Sequence, residues 1–132
     1  MRISTARKIA TITALLAVGC LTVSTAQAAC QGSNGRGWGR GAGAGQFEMT
    51  TADKVCRISF TNVINERDNT SIPATNVSLT RAPSAGKVSV TKSGLVYTPN
   101  KGFKGSDTFC TSNTTAKAPG VTLSGCITVT VR

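Results

Sequence analysis

The residues able to do chemistry in this chain are few, and their types argue against catalysis. None of the 132 residues is a histidine, so neither a histidine-based triad nor a histidine general base can form. The five acidic residues suggest no pair of carboxylates at glycosidase spacing. Ser89 and Lys92 match the S-x-x-K pattern of penicillin-recognising enzymes, but that pattern needs a helix start and here lies in a predicted strand. We therefore predict that the protein is not an enzyme.

Metal and cofactor sites are not predicted either. The loop sequence ERDN at 66–69 offers two carboxylates and an amide, fewer than the roughly six to eight oxygens that calcium takes, and we interpret it as a solvated turn. The cysteines are too far apart along the chain for a zinc site, and no histidine could complete one. We expect no cofactor and no bound metal.

The first 28 residues have the features of a secretory signal peptide. Residues 1–8 contain three basic residues and no acid, and residues 9–23 form an apolar run. Ala26-Gln27-Ala28 then has the small-x-small pattern that signal peptidase recognises. We predict cleavage after Ala28 and a periplasmic or secreted protein, with no transmembrane helix in the mature chain. The sequence LLAVGC, which ends at Cys20, loosely resembles a lipobox, so a lipid anchor at Cys20 is the alternative to simple export.

Four cysteines remain in the exported part: Cys30, Cys56, Cys110 and Cys126. An even number in a short exported chain indicates two disulfides, for which three connectivities are open. Cys110 and Cys126 each adjoin an apolar residue predicted to face inward, so both are expected on the outer face of neighbouring strands, within disulfide reach. We therefore predict a Cys110–Cys126 bond and, by subtraction, a Cys30–Cys56 bond.

Residues 31–45 have glycine at nearly every second position, with Trp38 as the one large apolar side chain. Because glycine loses the most backbone entropy on ordering, this composition predicts a flexible leader over 29–46, before a folded domain over 47–132. The sequence RGWGRG within it is similar to arginine-glycine segments that bind RNA. Since an exported protein rarely meets RNA, we expect no nucleic-acid partner.

From residue 47 onward the sequence alternates with a period of two and has almost no helical signal. Val, Ile, Thr and aromatic residues dominate the alternating runs, as half-buried strands require. Turn residues separate these runs. About seven short strands in this length predict an all-β fold, an Ig-like antiparallel β-sandwich. The clearest runs are 55–62, 76–81, 87–92, 94–99 and 126–132.

The segment YTPNKGFKGSDTFC at 97–110 is interpreted as a corner between two strands rather than as the edge of an active site. A proline ends the first strand because it cannot donate to the ladder, and two glycines permit tight turns. A phenylalanine between these glycines can plug the open end of the sandwich, and an aspartate can accept N–H bonds from the turn. The structural residues of this corner are Tyr97, Pro99, Gly102, Phe103, Gly105, Asp107 and Phe109.

Around this corner the sequence resembles the bacterial Ig-like, cadherin-like repeat. The resemblance rests on a glycine-bounded hairpin, Tyr-Thr-Pro, Gly-Phe-x-Gly-x-Asp-x-Phe and a final alternating Val-Thr strand, and it covers about 77–131. It implies a non-catalytic module of surface and adhesion proteins. The chain departs from the repeat in being a single copy, in its added cysteines, and at Thr111 and Asn113, where the family usually has Tyr and Val.

The charge of the chain indicates a polyanionic partner. The formal net charge is +10, and removal of the signal peptide leaves about +7. No acidic residue occurs from 69 to 106, whereas five basic residues do: Arg81, Lys87, Lys92, Lys101 and Lys104. We predict that these residues form a basic face that binds an anionic envelope polymer or an acidic protein. The alternative is a secreted inhibitor or accessory subunit of another exported protein, which inserts the loop at 113–120 into its partner.

Overall fold

The computed structural model describes residue 19 and residues 30–132, so the predicted signal peptide and the alternative lipid anchor at Cys20 lie outside the described residues. Ten strands and a short 3-10 helix, Trp38–Arg40, form the described fold. The strands are β1 Gln31–Ser33, β2 Gly43–Met49, β3 Cys56–Ile58, β4 Asn62–Asn65, β5 Thr70–Pro73, β6 Asn76–Arg81, β7 Gly86–Thr91, β8 Gly94–Pro99, β9 Gly105–Thr114 and β10 Leu123–Val131.

Two sheets and a separate hairpin make up this arrangement. The larger sheet has the strand order β1-β2-β10-β9-β6, and the smaller sheet has the order β3-β8-β7. Strands β4 and β5 pair only with each other, as a hairpin inserted between the two sheets along the chain. All pairings are antiparallel except that of β2 with β10, which is parallel. The fold is the predicted Ig-like β-sandwich.

The core lies between the inner faces of the two sheets. Alternate residues of β8, β9 and β10 are buried, as the period-two pattern predicts. The Tyr97 ring on β8 stacks on the Phe109 ring on β9, with centroids 6.2 Å apart, and this contact joins the two sheets. Both side chains are fully buried.

The glycine-rich segment is the main correction to the sequence analysis. Strand β1, the 3-10 helix and the first part of β2 lie within the predicted flexible leader, so the fold begins before the predicted boundary at residue 47. Strand β2 pairs along seven residues with β10, in the centre of the larger sheet. Trp38 is 6% exposed and packs over Gly43, where any side chain would overlap its ring. The glycines bury little apolar area themselves, so the packing of Trp38 and the pairing of β2 with β10 stabilise this segment instead.

The described residues also contain more strands than the seven predicted. The strands that no clearly alternating run predicted are β1, β2 and the β4–β5 hairpin, whose turn coincides with the turn predicted at 66–69. The hairpin has one exposed large apolar residue, Ile64, which is 70% exposed. Such short or exposed strands bury too little on one face to produce a clear alternation. Among the described residues, no helix is long and apolar enough to cross a membrane.

Candidate functional site

The corner at 97–110 is organised around the buried carboxylate of Asp107. This carboxylate accepts hydrogen bonds from the Tyr97 hydroxyl at 2.7 Å, from the Ser84 backbone N–H at 2.8 Å and from the Ala85 backbone N–H at 3.0 Å. Asp107 is only 3% exposed. The backbone donors come from the connection between β6 and β7, not from the glycine turn beside Asp107 that the sequence analysis named.

The remaining corner residues hold the chain around this carboxylate. Strand β8 ends at Pro99, and Gly102 and Gly105 have φ angles of 82° and 129°, in the region that favours glycine. Phe103 is half-buried and packs against the core. Burial raises the pKa of Tyr97, and so do its hydrogen bond to Asp107 and the negative charge of that carboxylate. The phenol therefore stays protonated as a hydrogen-bond donor and is no candidate for a base or nucleophile.

The other acidic side chains with contacts in the described residues form their bonds at the surface. Glu48 forms an exposed 3.0 Å ion pair with Arg132. Asp53 accepts hydrogen bonds from the backbone N–H and the hydroxyl of Thr50, and Asp68 accepts one from Asn65. Within the described residues no three potential metal ligands of the His, Cys, Asp or Glu type lie together.

The five residues of the predicted basic face are all exposed, but they do not lie together. Lys92 is in the turn between β7 and β8, whereas Lys101 and Lys104 follow β8 at its other end. Lys87 pairs with Thr98 near that same other end. Five residues of strand span about 17 Å from Lys87 to Lys92, twice the screening length of about 8 Å at physiological salt. The field of Lys92 therefore adds little to that of Lys101 and Lys104.

Arg81 is also separate from the lysines, because it ends β6 at the edge of the larger sheet, opposite Cys110. A residue that the sequence analysis left out joins them instead. Lys54 lines a small cavity of about 220 Å³ together with Lys101 and Phe103. We call Lys54, Lys87, Lys101 and Lys104 the basic end. Lys54 could not be found from local charge, because it is 47 residues before Lys101 and directly follows Asp53.

The structure contains both predicted disulfides. Cys110 and Cys126 are directly opposite each other on β9 and β10, with Cα atoms 3.9 Å apart, and both are half-buried on the outer face. Cys30 is bonded to Cys56 on β3, and the Cα atoms are 5.0 Å apart. The second bond attaches the start of β1, in the larger sheet, to the smaller sheet. The glycine-rich segment is therefore anchored covalently where it begins.

An open cleft of about 760 Å³ is a feature that the sequence analysis did not find. One wall is formed by residues 34–39, around Trp38, and the facing wall by residues 59–64. Asn34 joins the walls, because its amide N–H donates to the Ser59 carbonyl at 2.9 Å. The Trp38 indole N–H in turn donates to the backbone carbonyl of Asn34 at 2.6 Å. The one sequence feature that could have indicated this cleft is Trp38, which closely precedes Gly43 and Gly45 on one face of β2.

The predicted inserting loop at 113–120 is shorter than the sequence suggested. Strand β9 continues to Thr114, and Asn113 is buried, with its amide N–H donating to the Thr61 hydroxyl at 3.1 Å. The exposed part of the connection lies beside the β4–β5 hairpin, where Ala118 and Val121 line an open groove together with Ile64.

Comparison with known proteins agrees with this architecture. The family model described as bacterial Ig domain matches residues 42–131, which include all strands from β3 to β10 and all of β2. Searches of curated proteins and of solved structures found no match. Because the family model matches well over half of the chain, the protein belongs to the bacterial Ig domain family.

Proposed function

We propose that the protein is an exported, non-catalytic Ig-like module that binds an anionic polymer of the bacterial cell envelope. Membership of the bacterial Ig domain family suggests a non-catalytic module. Two disulfides are typical of proteins outside the cytoplasm, which supports a periplasmic or secreted location. The observation that carries the binding role is the basic end.

The basic end differs from a merely basic surface in its local charge balance. Lys54 and Lys101 line one cavity, and Lys87 and Lys104 are on strands or turns that reach the same end. One acid, Asp53, lines that cavity too, so the four lysines of the basic end exceed the acid of the cavity by three charges. Close cations with little local compensation attract a polyanion, and this attraction weakens as salt screens it.

Charge reversal inside and outside the basic end tests this role with a matched control. The Lys101→Glu/Lys104→Glu variant changes the basic end, while Arg81→Glu/Lys92→Glu makes the same change in net charge elsewhere. All four side chains are exposed, so both variants should fold, and thermal unfolding checks this. On a heparin column we expect the first variant to elute at clearly lower salt than the second. Equal elution of the two variants would mean that only net charge matters and would refute the basic end as a site.

Export is tested separately, by the intact mass of the protein recovered from the periplasm or medium. Cleavage after Ala28 gives a mature chain that starts at Ala29, one residue before the disulfide at Cys30. A mass that includes a diacylglycerol on Cys20 would instead place the protein on a membrane surface.

The second candidate function is a secreted inhibitor or accessory subunit, and one observation favours it. Ile64 is 70% exposed and Val121 is 37% exposed, and both line the open groove beside the β4–β5 hairpin. Exposed apolar residues around a groove often mark a protein interface. A stoichiometric complex with an exported protein that is lost in Ile64→Ser, but kept in Lys101→Glu/Lys104→Glu, would support this function over polymer binding.

A further inference from the structure

We propose that the cleft between residues 34–39 and 59–64 binds a neutral saccharide, at a site separate from the basic end. One of the two walls of the cleft comes from a segment outside the family match, whereas the other wall lies within it. The first wall precedes residue 42, where the match to the bacterial Ig domain begins. This chain therefore adds a segment to the sandwich, and the added segment encloses a cleft.

The added wall is held rigidly in place. The Cys30–Cys56 bond anchors its start, and Trp38 is clamped between its hydrogen bond to Asn34 and its packing on Gly43. Gly35 and Gly37 have φ angles of 67° and 93°. A side chain at Gly35 would overlap the carbonyl oxygen of Ala44 in β2, and a side chain at Gly37 would overlap that of Ala42, just before β2. A wall fixed in this way is preorganised, so little ordering entropy opposes ligand binding.

The polar groups of the cleft are not all satisfied within the protein. The side-chain carbonyl oxygen of Asn34 is buried and has no hydrogen-bond donor among the described residues. Thr61, which also lines the cleft, accepts from the Asn113 amide, so its own hydroxyl proton remains available. Buried amide oxygens without a partner usually indicate a water or ligand that supplies the missing donor.

The rest of the lining selects the class of ligand. Phe60 is half-buried and Ile64 and Val121 are exposed, and these three side chains give the cleft an apolar surface. Asn62 and Ser59 add an exposed amide and an exposed hydroxyl. A sugar ring matches both properties, because its C–H face packs on aromatic and apolar groups while its hydroxyls both donate and accept.

The charge and the volume of the cleft indicate a small, neutral ligand. The cleft is lined by one cation and one anion, Arg36 and Glu66, so it has no net charge to select a polyanion. Its volume of about 760 Å³ lies within the range of about 300–1,000 Å³ found for small-molecule sites. A disaccharide fits this volume, with further units extending through the open side.

The sole tryptophan of the chain makes binding directly measurable, because Trp38 lines the cleft. The probes are cellobiose, maltose, lactose and N,N′-diacetylchitobiose, titrated into the mature disulfide-bonded protein. We expect a saturable change in Trp38 fluorescence for at least one of these sugars. Saturation-transfer NMR should show transfer from the protein to the ring protons of the same sugar. Phe60→Ala and Asn62→Ala should each weaken that binding at least tenfold.

Three controls distinguish binding in the cleft from binding elsewhere on the protein and from a loss of folding. Asn76→Ala removes an exposed amide on β6 that does not line the cleft, and this variant should bind as the parent does. Lys101→Glu/Lys104→Glu should also bind normally, so failure of polymer binding leaves this inference intact. Thermal unfolding shows whether Phe60→Ala is folded. Asn62→Ala changes an exposed side chain and should fold, so it tests the cleft even if Phe60→Ala does not fold. The proposal is overturned if no probe binds saturably or if the cleft variants bind unchanged.

Discussion

The Tyr97 hydroxyl donates a 2.7 Å hydrogen bond to Asp107, and this bond connects strands of opposite sheets inside the core. The same carboxylate accepts the backbone N–H groups of Ser84 and Ala85, which lie where the chain crosses from the larger to the smaller sheet. One side chain thus fixes three separate segments. The corner motif is a structural device, and its residues are accounted for without chemistry.

Loss of this carboxylate should be among the more damaging single changes in the domain. Asp107→Ala leaves three donors without their acceptor, each in a buried or partly buried site, and we expect it to lower the free energy of unfolding by at least about 3 kcal/mol. Tyr97→Phe removes one donor and should cost about 1–2 kcal/mol. Denaturant unfolding measures both.

Asp53→Ala is the matched control for Asp107→Ala, because Asp53 also accepts two hydrogen bonds, but at the surface. Its removal should cost less than about 1 kcal/mol, since water replaces the lost partner. Similar losses for the two alanine variants would show that burial of Asp107 is not what makes it important.

The raised pKa of Tyr97 predicts a loss of stability in alkali. An unfolded tyrosine ionises near pH 10, whereas burial keeps the folded phenol protonated above that pH. Below pH 10 both states are protonated and the full stability is present. Above pH 10 only the unfolded state ionises, so the free energy of unfolding falls by up to about 1.4 kcal/mol per pH unit.

This pH dependence can be followed directly, because Tyr97 is the only tyrosine of the chain. We expect tyrosinate absorbance to appear together with unfolding rather than in the folded protein. The Tyr97→Phe variant should lack this contribution to the alkaline slope. A folded protein that shows full tyrosinate absorbance near pH 10 would contradict the prediction.

The second half of the domain could be read from the sequence because its information is local. Strands β8 to β10 bury alternate residues, and turn residues separate the strands, so the sandwich and the outward direction of Cys110 and Cys126 follow from a period of two. The resemblance at the corner covers the same part of the chain.

The first half and the candidate sites depended on contacts between residues far apart along the chain. Strand β2 is ordered by Trp38 above it and by β10 beside it, and β10 begins about 80 residues later. Lys87 and Lys92 are close along the chain, yet one strand holds them at opposite ends. Local composition cannot show which distant strand pairs in parallel with β2, nor at which end of the domain an exposed lysine lies.

Packing of Trp38 on Gly43 predicts that this glycine cannot be replaced. A methyl group at Gly43 would overlap the indole ring, so Gly43→Ala should displace Trp38 and lower the free energy of unfolding by about 1–3 kcal/mol. Gly39→Ala is the control, because a methyl group there meets only open space. Trp38 fluorescence and denaturant unfolding distinguish the two variants. Equal stability of both would show that the tryptophan does not pack as described.

A buried hydroxyl offers a stabilising change. Thr111 is 1% exposed on the inner face of β9, and its hydroxyl has no hydrogen-bond partner among the described residues. Thr111→Val keeps the shape and removes this polar group, so we expect a gain of about 1 kcal/mol and a rise in Tm of about 4–8 °C. Thr61→Val should have the opposite sign, because it leaves the buried Asn113 amide without its acceptor. Lower stability of Thr111→Val would indicate a bound water at that hydroxyl.

The two disulfides should be similar in their effect on global stability but different in their local effect. Their sequence separations of 26 and 16 residues correspond to about 3.5 and about 3 kcal/mol in the chain-entropy account. Cys30→Ala/Cys56→Ala also releases the wall that contains Trp38, so tryptophan fluorescence should change and any saccharide binding should weaken while the rest of the sandwich stays folded. Cys110→Ala/Cys126→Ala should leave Trp38 fluorescence unchanged, because its bond joins two strands that already pair through nine residues. A change in Trp38 fluorescence in the second variant but not the first would contradict the role given to the Cys30–Cys56 bond.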